Sequence, residues 1–181
     1  MIQRIQSFFL VLAMCCMIMG FMFPVAEYEA TVPSTQQKVE ARLDLLAKDN
    51  PEMYAQLATG NPTVGFSQRT SGFKTWSLVT LTVLTAALAL LSIFLYRNRV
   101  RQMRVVALAF LLNVVYVFLL FFWAVDAYGK TMVTQMQASD LQVTWQVAAY
   151  APLVSLVFLI LAHRGIKKDE AKVRAADRLR R

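Results

Sequence analysis

The sequence predicts an all-α integral membrane protein: a four-helix bundle with a small, partly helical extracytoplasmic loop domain and a basic cytoplasmic C-terminal helix. Two observations predict this fold class. Hydrophobic residues make up 57% of the 181 residues and charged residues only 17%, which is below the roughly 25% charged content of ordinary soluble domains. The apolar residues also gather in four long blocks with the charges between them, whereas an amphipathic soluble helix would carry a polar face inside each block.

Each of the four apolar blocks is long enough to cross a membrane, because about 20 helical residues span a hydrocarbon core of about 30 Å. The predicted transmembrane helices cover about residues 5–23, 76–96, 105–125 and 143–162. Amphipathic rings prefer the headgroup level of a bilayer. Such rings lie near the ends of the last three blocks: Trp76, Tyr96, Trp123, Tyr128 and Trp145.

The first block begins after Arg4 and has the outline of a secretory signal. Its charge-free stretch from residue 8 to residue 23 is long enough to span a bilayer, so an uncleaved anchor is the favoured interpretation and a processed signal is the alternative. Met14 occupies the position where a lipoprotein cleavage box needs a small residue. The adjacent Cys15 and Cys16 are expected to be apolar packing residues rather than a disulfide or a metal pair.

Residues 24–75 form the only sizeable segment outside the predicted spans. Weak alternation over residues 27–31 predicts a short strand, and a capping residue near position 34 predicts a helix to about residue 48. Asn50 followed by a proline predicts a second helix to about residue 60. The segment is too small to bury much of a core alone. We therefore expect a cap on the bundle or on a partner, and a surface cap without a ligand is favoured over a binding site.

Positive charge is concentrated on one side of the predicted membrane topology. The segments on the side of the N-terminus, 1–4, 97–104 and 163–181, contain thirteen of the nineteen Lys and Arg residues and carry a net charge of +10. The segments on the other side carry −2. This asymmetry predicts that both termini of a multi-pass protein of the bacterial inner (plasma) membrane are cytoplasmic. Since membrane topology explains the excess of basic over acidic residues, no nucleic-acid partner is expected.

Two basic segments are predicted on the cytoplasmic side: an Arg-rich turn at 97–104, which makes the second and third spans an antiparallel hairpin, and a helical tail at 163–181. Favourable i,i+4 charge pairs such as Glu170 with Arg174 support the tail helix. The cations of these two basic segments are predicted to bind anionic lipid headgroups or a partner protein, with a purely topological role as the alternative. They are Arg97, Arg99, Arg101, Arg104, Lys167, Lys168, Lys172 and Arg174.

The sequence contains no motif for phosphate, dinucleotide or zinc binding or for nucleophilic catalysis. Asp, Glu, Lys and Arg are missing from the middle of every predicted span, although proton relays and coupled transporters usually need an ionisable group at that depth. The single histidine, His163, is expected at the membrane interface without a chemical role. The sequence therefore predicts no catalytic residue, no cofactor, no metal site and no enzymatic activity.

Asn113 is the one strongly polar side chain near the middle of a predicted span. An amide at that depth seeks a partner on another helix, and such a contact is worth about 1 kcal/mol. The predicted role is an interhelical polar contact, with a substrate contact as the alternative. The candidate partners are Thr82, Thr85, Tyr150 and Ser155.

The opening MIQRIQ at residues 1–6, the segment FLYRNR at residues 94–99 and the segment RGIKKDE at residues 164–170 carry a resemblance to a known family. The chain resembles a family of four-transmembrane-helix inner-membrane proteins of unknown function from Bacteroidota. The resemblance extends over the whole chain and implies no established activity. Its recognisable motifs all belong to the predicted cytoplasmic face, which makes that face the better candidate for a functional surface.

Two classes of function remain open. The favoured one is a non-enzymatic accessory or scaffold subunit of an inner-membrane assembly, with the bilayer and another membrane protein as partners. The alternative is an oligomeric channel or small-solute transporter, but the predicted spans show neither a polar face nor an inverted repeat. A lipid-modifying enzyme ranks third, because Asp126 and Asp140 are predicted on the opposite side of the membrane from His163.

Overall fold

The computed structural model describes residues 2–32, 37–43, 45, 52–55, 64–67, 73–136 and 139–179. Its α-helices are α1 (Ile2–Met22), α2 (Phe73–Phe94), α3 (Arg99–Phe118), α4 (Val125–Met136) and α5 (Val147–Leu179), and its strands are β1 (Ala26–Val32), β2 (Gln37–Leu43), β3 (Glu52–Ala55), β4 (Val64–Ser67) and β5 (Ser139–Trp145). A short 3₁₀ helix at Leu95–Arg97 follows α2, and a π-helix at Leu119–Ala124 connects α3 to α4.

Among the residues that the structure describes, four helical stretches are long and apolar enough to cross a membrane: Ile5–Met22, Trp76–Phe94, Arg99–Ala127 and Val147–Ala175. The prediction of four membrane-spanning helices in a mainly helical chain is therefore confirmed. The chain divides into two compact units. The helical unit contains Met1–Ile18, Leu81–Tyr116 and Ala151–Arg181, and the sheet unit contains Met19–Thr80 and Val117–Tyr150.

In the helical unit, segments of α1, α2, α3 and α5 share one core. Buried residues recur at spacings of three and four along each helix, so each helix turns one stripe toward its neighbours. Many of these residues are small, which lets helix backbones approach closely in a bilayer. The stripes include Gln6, Leu10 and Ala13 on α1; Thr82, Thr85, Ala89 and Ser92 on α2; Gln102, Val106, Ala109, Asn113 and Tyr116 on α3; and Ala151, Ser155, Leu159, Ala162, Ile166 and Asp169 on α5.

Large apolar side chains of the same helical segments point outward. Phe8, Leu84, Leu111 and Val157 are all exposed. In water these side chains would be costly, since about 25 cal/mol is lost per Å² of apolar surface left uncovered. Around a bundle in a bilayer they face acyl chains instead, which fits the membrane prediction.

The sheet unit is organised around β1, which lies between β2 and β5 in an antiparallel three-stranded sheet. Ala26, Tyr28 and Ala30 are buried, whereas Glu29 between them is exposed. This alternation places one face of β1 in a core and the other in contact with solvent. Strands β3 and β4 form a separate antiparallel pair.

The helices predicted within the loop are wrong where the structure describes them. Residues 37–43 form β2 instead of part of a helix over 35–48, and residues 52–55 form β3 instead of part of a helix over 50–60. The segment from Gln37 to Leu43 has apolar residues at every second position as well as at helical spacing. This segment forms a strand because its backbone pairs with β1, and such tertiary contacts override weak local preferences.

The connections between the last two spans also differ from the prediction. The loop predicted over 126–142 contains most of α4 and the first part of β5, and the fourth span begins at Val147 rather than at residue 143. Residues 143–145 belong to a strand because they pair with β1, with Trp145 opposite Ala26. The Arg-rich turn is also shorter than the predicted 97–104, since α3 begins at Arg99.

Candidate functional site

Polar side chains in the interior of the helical unit bind backbone carbonyls of neighbouring helices. The Asn113 Nδ2 atom donates to the carbonyl oxygen of Pro152 at 3.3 Å, and Ser155 Oγ donates to the carbonyl oxygen of Ala13 at 3.2 Å. Both side chains are fully buried. Asn113 thus connects α3 to α5, and Ser155 connects α5 to α1.

The partner of Asn113 differs from the predicted side chains. Its amide reaches the backbone of Pro152 rather than a hydroxyl of Thr82, Thr85, Tyr150 or Ser155. Within the described part of the chain, the buried Asn113 Oδ1 and Thr85 Oγ1 atoms have no hydrogen-bond partner. Leaving such an atom unpaired costs about 1–3 kcal/mol. The partner of Asn113 could not be predicted from the sequence, because it depends on how each helix is rotated about its axis.

A second polar cluster ties the start of α1, the start of α3 and the late part of α5 together; we call it the Asp169 junction. Gln6 Nε2 donates to Asp169 Oδ2, and Arg99 Nη1 donates to the backbone carbonyl of Asp169 at 3.2 Å. Gln6 and Asp169 are both buried. A Cβ atom on Gly165 would come within 3.0 Å of Gln6 Cγ, so the small residue at 165 lets Gln6 reach the carboxylate.

A groove with a cavity volume of about 500 Å³ lies between α3 and α5; we call it the basic groove. Three of the eight predicted cations line it, and so does His163, for which the sequence predicted no role. The Nδ1 atom of His163 is buried and has no hydrogen-bond partner among the described residues. The lining residues are Val100, Met103, Arg104, Ala107, His163, Lys167, Glu170, Ala171 and Arg174.

The remaining predicted cations are distributed around the groove rather than in it. Arg99 belongs to the Asp169 junction. Arg101, Lys168 and Lys172 are exposed and do not line the groove, and the side chain of Arg97 lies outside the described part of the chain. The structure therefore separates one predicted basic surface into a junction, a groove and exposed cations.

The sheet unit contains a second, mainly apolar groove of about 580 Å³ beside the π-helix. Phe121 and Trp145 stack in its wall with ring centroids 4.8 Å apart. On its rim, Lys130 Nζ lies 2.6 Å from Asp126 Oδ2, and both side chains are exposed. Sequence reasoning missed this groove because it assigned Trp145 to a membrane boundary and 126–142 to a loop.

The side-chain chemistry gives neither groove a recognisable catalytic centre. Among the residues that the structure describes, no three His, Cys, Asp or Glu side chains are grouped so that they could hold a metal ion. Cys15 and Cys16 are free thiols on α1. The chemically specific feature is the concentration of cationic donors in the basic groove, which is suited to holding an anion.

Comparison with known protein families identifies a family that this chain matches over nearly its whole length. The family model described as "Domain of unknown function (DUF4293)" matches residues 2–179. The chain therefore belongs to this family, as the resemblance to a family of unknown function predicted. A search of curated proteins found no match.

Proposed function

We propose that this member of the DUF4293 family is a non-enzymatic accessory or scaffold subunit of an assembly in the bacterial inner membrane. Both termini are cytoplasmic in this proposal, and the partner is another membrane protein. The single observation that carries it is the form of α5, which continues without a break from the membrane-length stretch into a charged end, over 33 residues. A continuous helix of that kind presents a rigid surface to a partner.

The end of α5 offers charged side chains for such a contact. Lys168 and Lys172 are exposed on it outside the basic groove, whereas Asp169 on the same helix is buried in the junction described above. The carboxylate of Asp169 holds the helix against α1, its backbone carbonyl accepts from Arg99 on α3, and the exposed cations remain available to an acidic surface. Complementary charge of this kind steers association and selects partners.

The interior of the helical unit supports a scaffold more than a moving transporter. Asn113 and Ser155 hold α3, α5 and α1 together through backbone carbonyls. The resemblance of the chain ends to inner-membrane proteins from Bacteroidota, together with the net charge of +10 on one side, supports the proposed membrane and orientation.

The test uses a photo-crosslinking amino acid placed at Lys172 in cells that produce the full chain. We expect a discrete crosslinked species that contains one different membrane protein in fixed stoichiometry. A crosslinker at Val157, an exposed apolar position on the same helix, serves as the matched control and should give no such species. Replacing Lys168 and Lys172 with Gln should reduce copurification of the partner. Crosslinks between copies of this chain only, from both positions, would overturn the scaffold proposal in favour of an oligomeric channel.

A further inference from the structure

We propose that the basic groove between α3 and α5 is a binding site for one anionic phospholipid, which it holds by the headgroup phosphate. This inference is independent of the proposed scaffold role. It rests on the charge of the lining, the position of the groove along the helices and the unpaired nitrogen of His163.

The charge of the groove favours an anion. Its lining contains three cations, Arg104, Lys167 and Arg174, and one carboxylate, Glu170. Glu170 pairs with Arg174, whose Nε donates to Glu170 Oε1 at 3.1 Å. Arg104 and Lys167 then leave the lining with an excess of two positive charges. Guanidinium and ammonium groups bind phosphate oxygens through short charge-assisted hydrogen bonds.

His163 adds a ring nitrogen that lacks a partner within the protein. Its Nδ1 atom is buried and has no partner among the described residues, while its ring lines the groove. An imidazole nitrogen that carries a proton can donate to a phosphate oxygen, and the tautomer of the ring decides which nitrogen carries it. A buried polar atom that lacks a partner is stabilised when a ligand supplies one.

The position of the groove selects a lipid over a soluble phosphate. Arg104 comes five residues after the start of α3, and Met103 and Ala107 beside it belong to the same apolar stretch, Arg99–Ala127. His163 and Lys167 likewise lie within the stretch Val147–Ala175. Cations at the end of a span, next to apolar lining, match a headgroup with its acyl chains attached.

The experiment measures lipid retention by the purified full chain in detergent, using native mass spectrometry. Phosphatidylglycerol and phosphatidylcholine with identical acyl chains are the probes, added at equal concentration. We expect one phosphatidylglycerol to be retained preferentially per chain. Soluble glycerol phosphate in excess should not displace it; displacement would show that the groove binds a free phosphate instead.

Two double variants separate the groove from general positive charge. Replacing Arg104 and Lys167 with Gln should reduce retention on the order of ten- to thirtyfold, from the interaction of two basic groups near an anionic surface. Replacing Arg101 and Lys168 with Gln removes the same charge from the same two helices but outside the groove, and retention should change less than about twofold on the same scale. Equal losses in both variants, with unchanged thermal unfolding, would overturn the site.

A single variant tests the histidine. His163→Leu keeps a side chain of comparable size and removes both ring nitrogens, so retention should fall by a factor of a few, as expected for one lost hydrogen bond. His163→Gln restores a donor and should recover part of the retention. Unchanged retention in His163→Leu would remove His163 from the site.

Discussion

The helical unit and the sheet unit of this chain are stabilised in different ways. In the helical unit, small buried residues alternate with a few polar groups that donate to backbone carbonyls of other helices. In the sheet unit, β1 pairs along its length with β2 and β5, and Tyr28 fills the core beneath it. A bilayer supplies almost no hydrophobic drive between helices, so close packing and interhelical hydrogen bonds must hold the first unit, whereas burial can hold the second.

One carboxylate from each unit, Asp169 and Asp126, shows two different roles for the same side chain. Asp169 in the helical unit is buried and accepts from Gln6. Asp126 in the sheet unit is exposed and pairs with Lys130 one helical turn away. Asp169 is therefore part of the packed interior, while Asp126 lies at the surface. Within one chain, an aspartate side chain can thus be buried as part of the packed interior or exposed to solvent.

The largest expected effect concerns the proposed orientation, in which both termini and residues 97–104 are cytoplasmic and residues 24–75 and 126–142 are extracytoplasmic. Reporter fusions after Asn98 and Arg181 should be active only with a cytoplasmic reporter, and fusions after Asn61 and Thr134 only with an exported one. The contrast should be close to all-or-none. Activity of a cytoplasmic reporter fused after Asn61 would show that the proposed orientation is wrong.

Loss of the central side chain of the sheet unit should give the largest change in stability. Tyr28 is fully buried and donates to the carbonyl oxygen of Val125 at 3.0 Å. Tyr28→Ala should lower the free energy of unfolding by about 3–5 kcal/mol, as for other large aromatic truncations. Tyr28→Phe keeps the ring and should lose only about 1 kcal/mol for the hydrogen bond. Thermal unfolding in mild detergent measures both, and equal losses would mean that the ring does not pack as described.

The two carboxylates provide a matched pair. Asp169→Ala leaves the buried Gln6 Nε2 donor without its acceptor and should destabilise the helical unit by about 1–3 kcal/mol. Asp126→Ala removes an exposed i,i+4 pair and should cost less than about 1 kcal/mol. Thermal unfolding of the two variants in the same detergent tests the contrast. If Asp126→Ala were the more damaging change, the distinction between a structural and a solvated acid would be wrong.

The smallest expected effect concerns Asn113. Asn113→Leu removes the donor to Pro152 but also removes an unpaired buried oxygen, so the net change in stability should be within about 1 kcal/mol. Thermal unfolding and the abundance of the protein in membranes provide the measurement, with Ser155→Ala as the control for a second carbonyl contact. Loss of cellular function at normal stability and abundance would instead indicate a substrate contact at Asn113.

Several features could be predicted because they depend on residue type and spacing alone. The four apolar blocks predicted four membrane-length helices, since the transfer of side chains into hydrocarbon is nearly additive along the chain. The helical tail was predicted from its helix-forming residues and the pair of Glu170 with Arg174, and α5 does continue to Leu179. Weak alternation also predicted a strand near residues 27–31, where the structure has β1.

Tertiary structure decided the rest. The segment 37–43 fits helical spacing and strand alternation equally well, and only pairing with β1 selects the strand. Likewise, residues 143–145 leave the predicted span because β1 pairs with them. The basic groove depends on the rotation of α3 and α5 about their axes, which places Arg104, Lys167 and Arg174 together and leaves Arg101 and Lys168 outside. The sequence determines which residues each helix contains, but the sum of many weak packing contacts determines which of those residues lie next to each other.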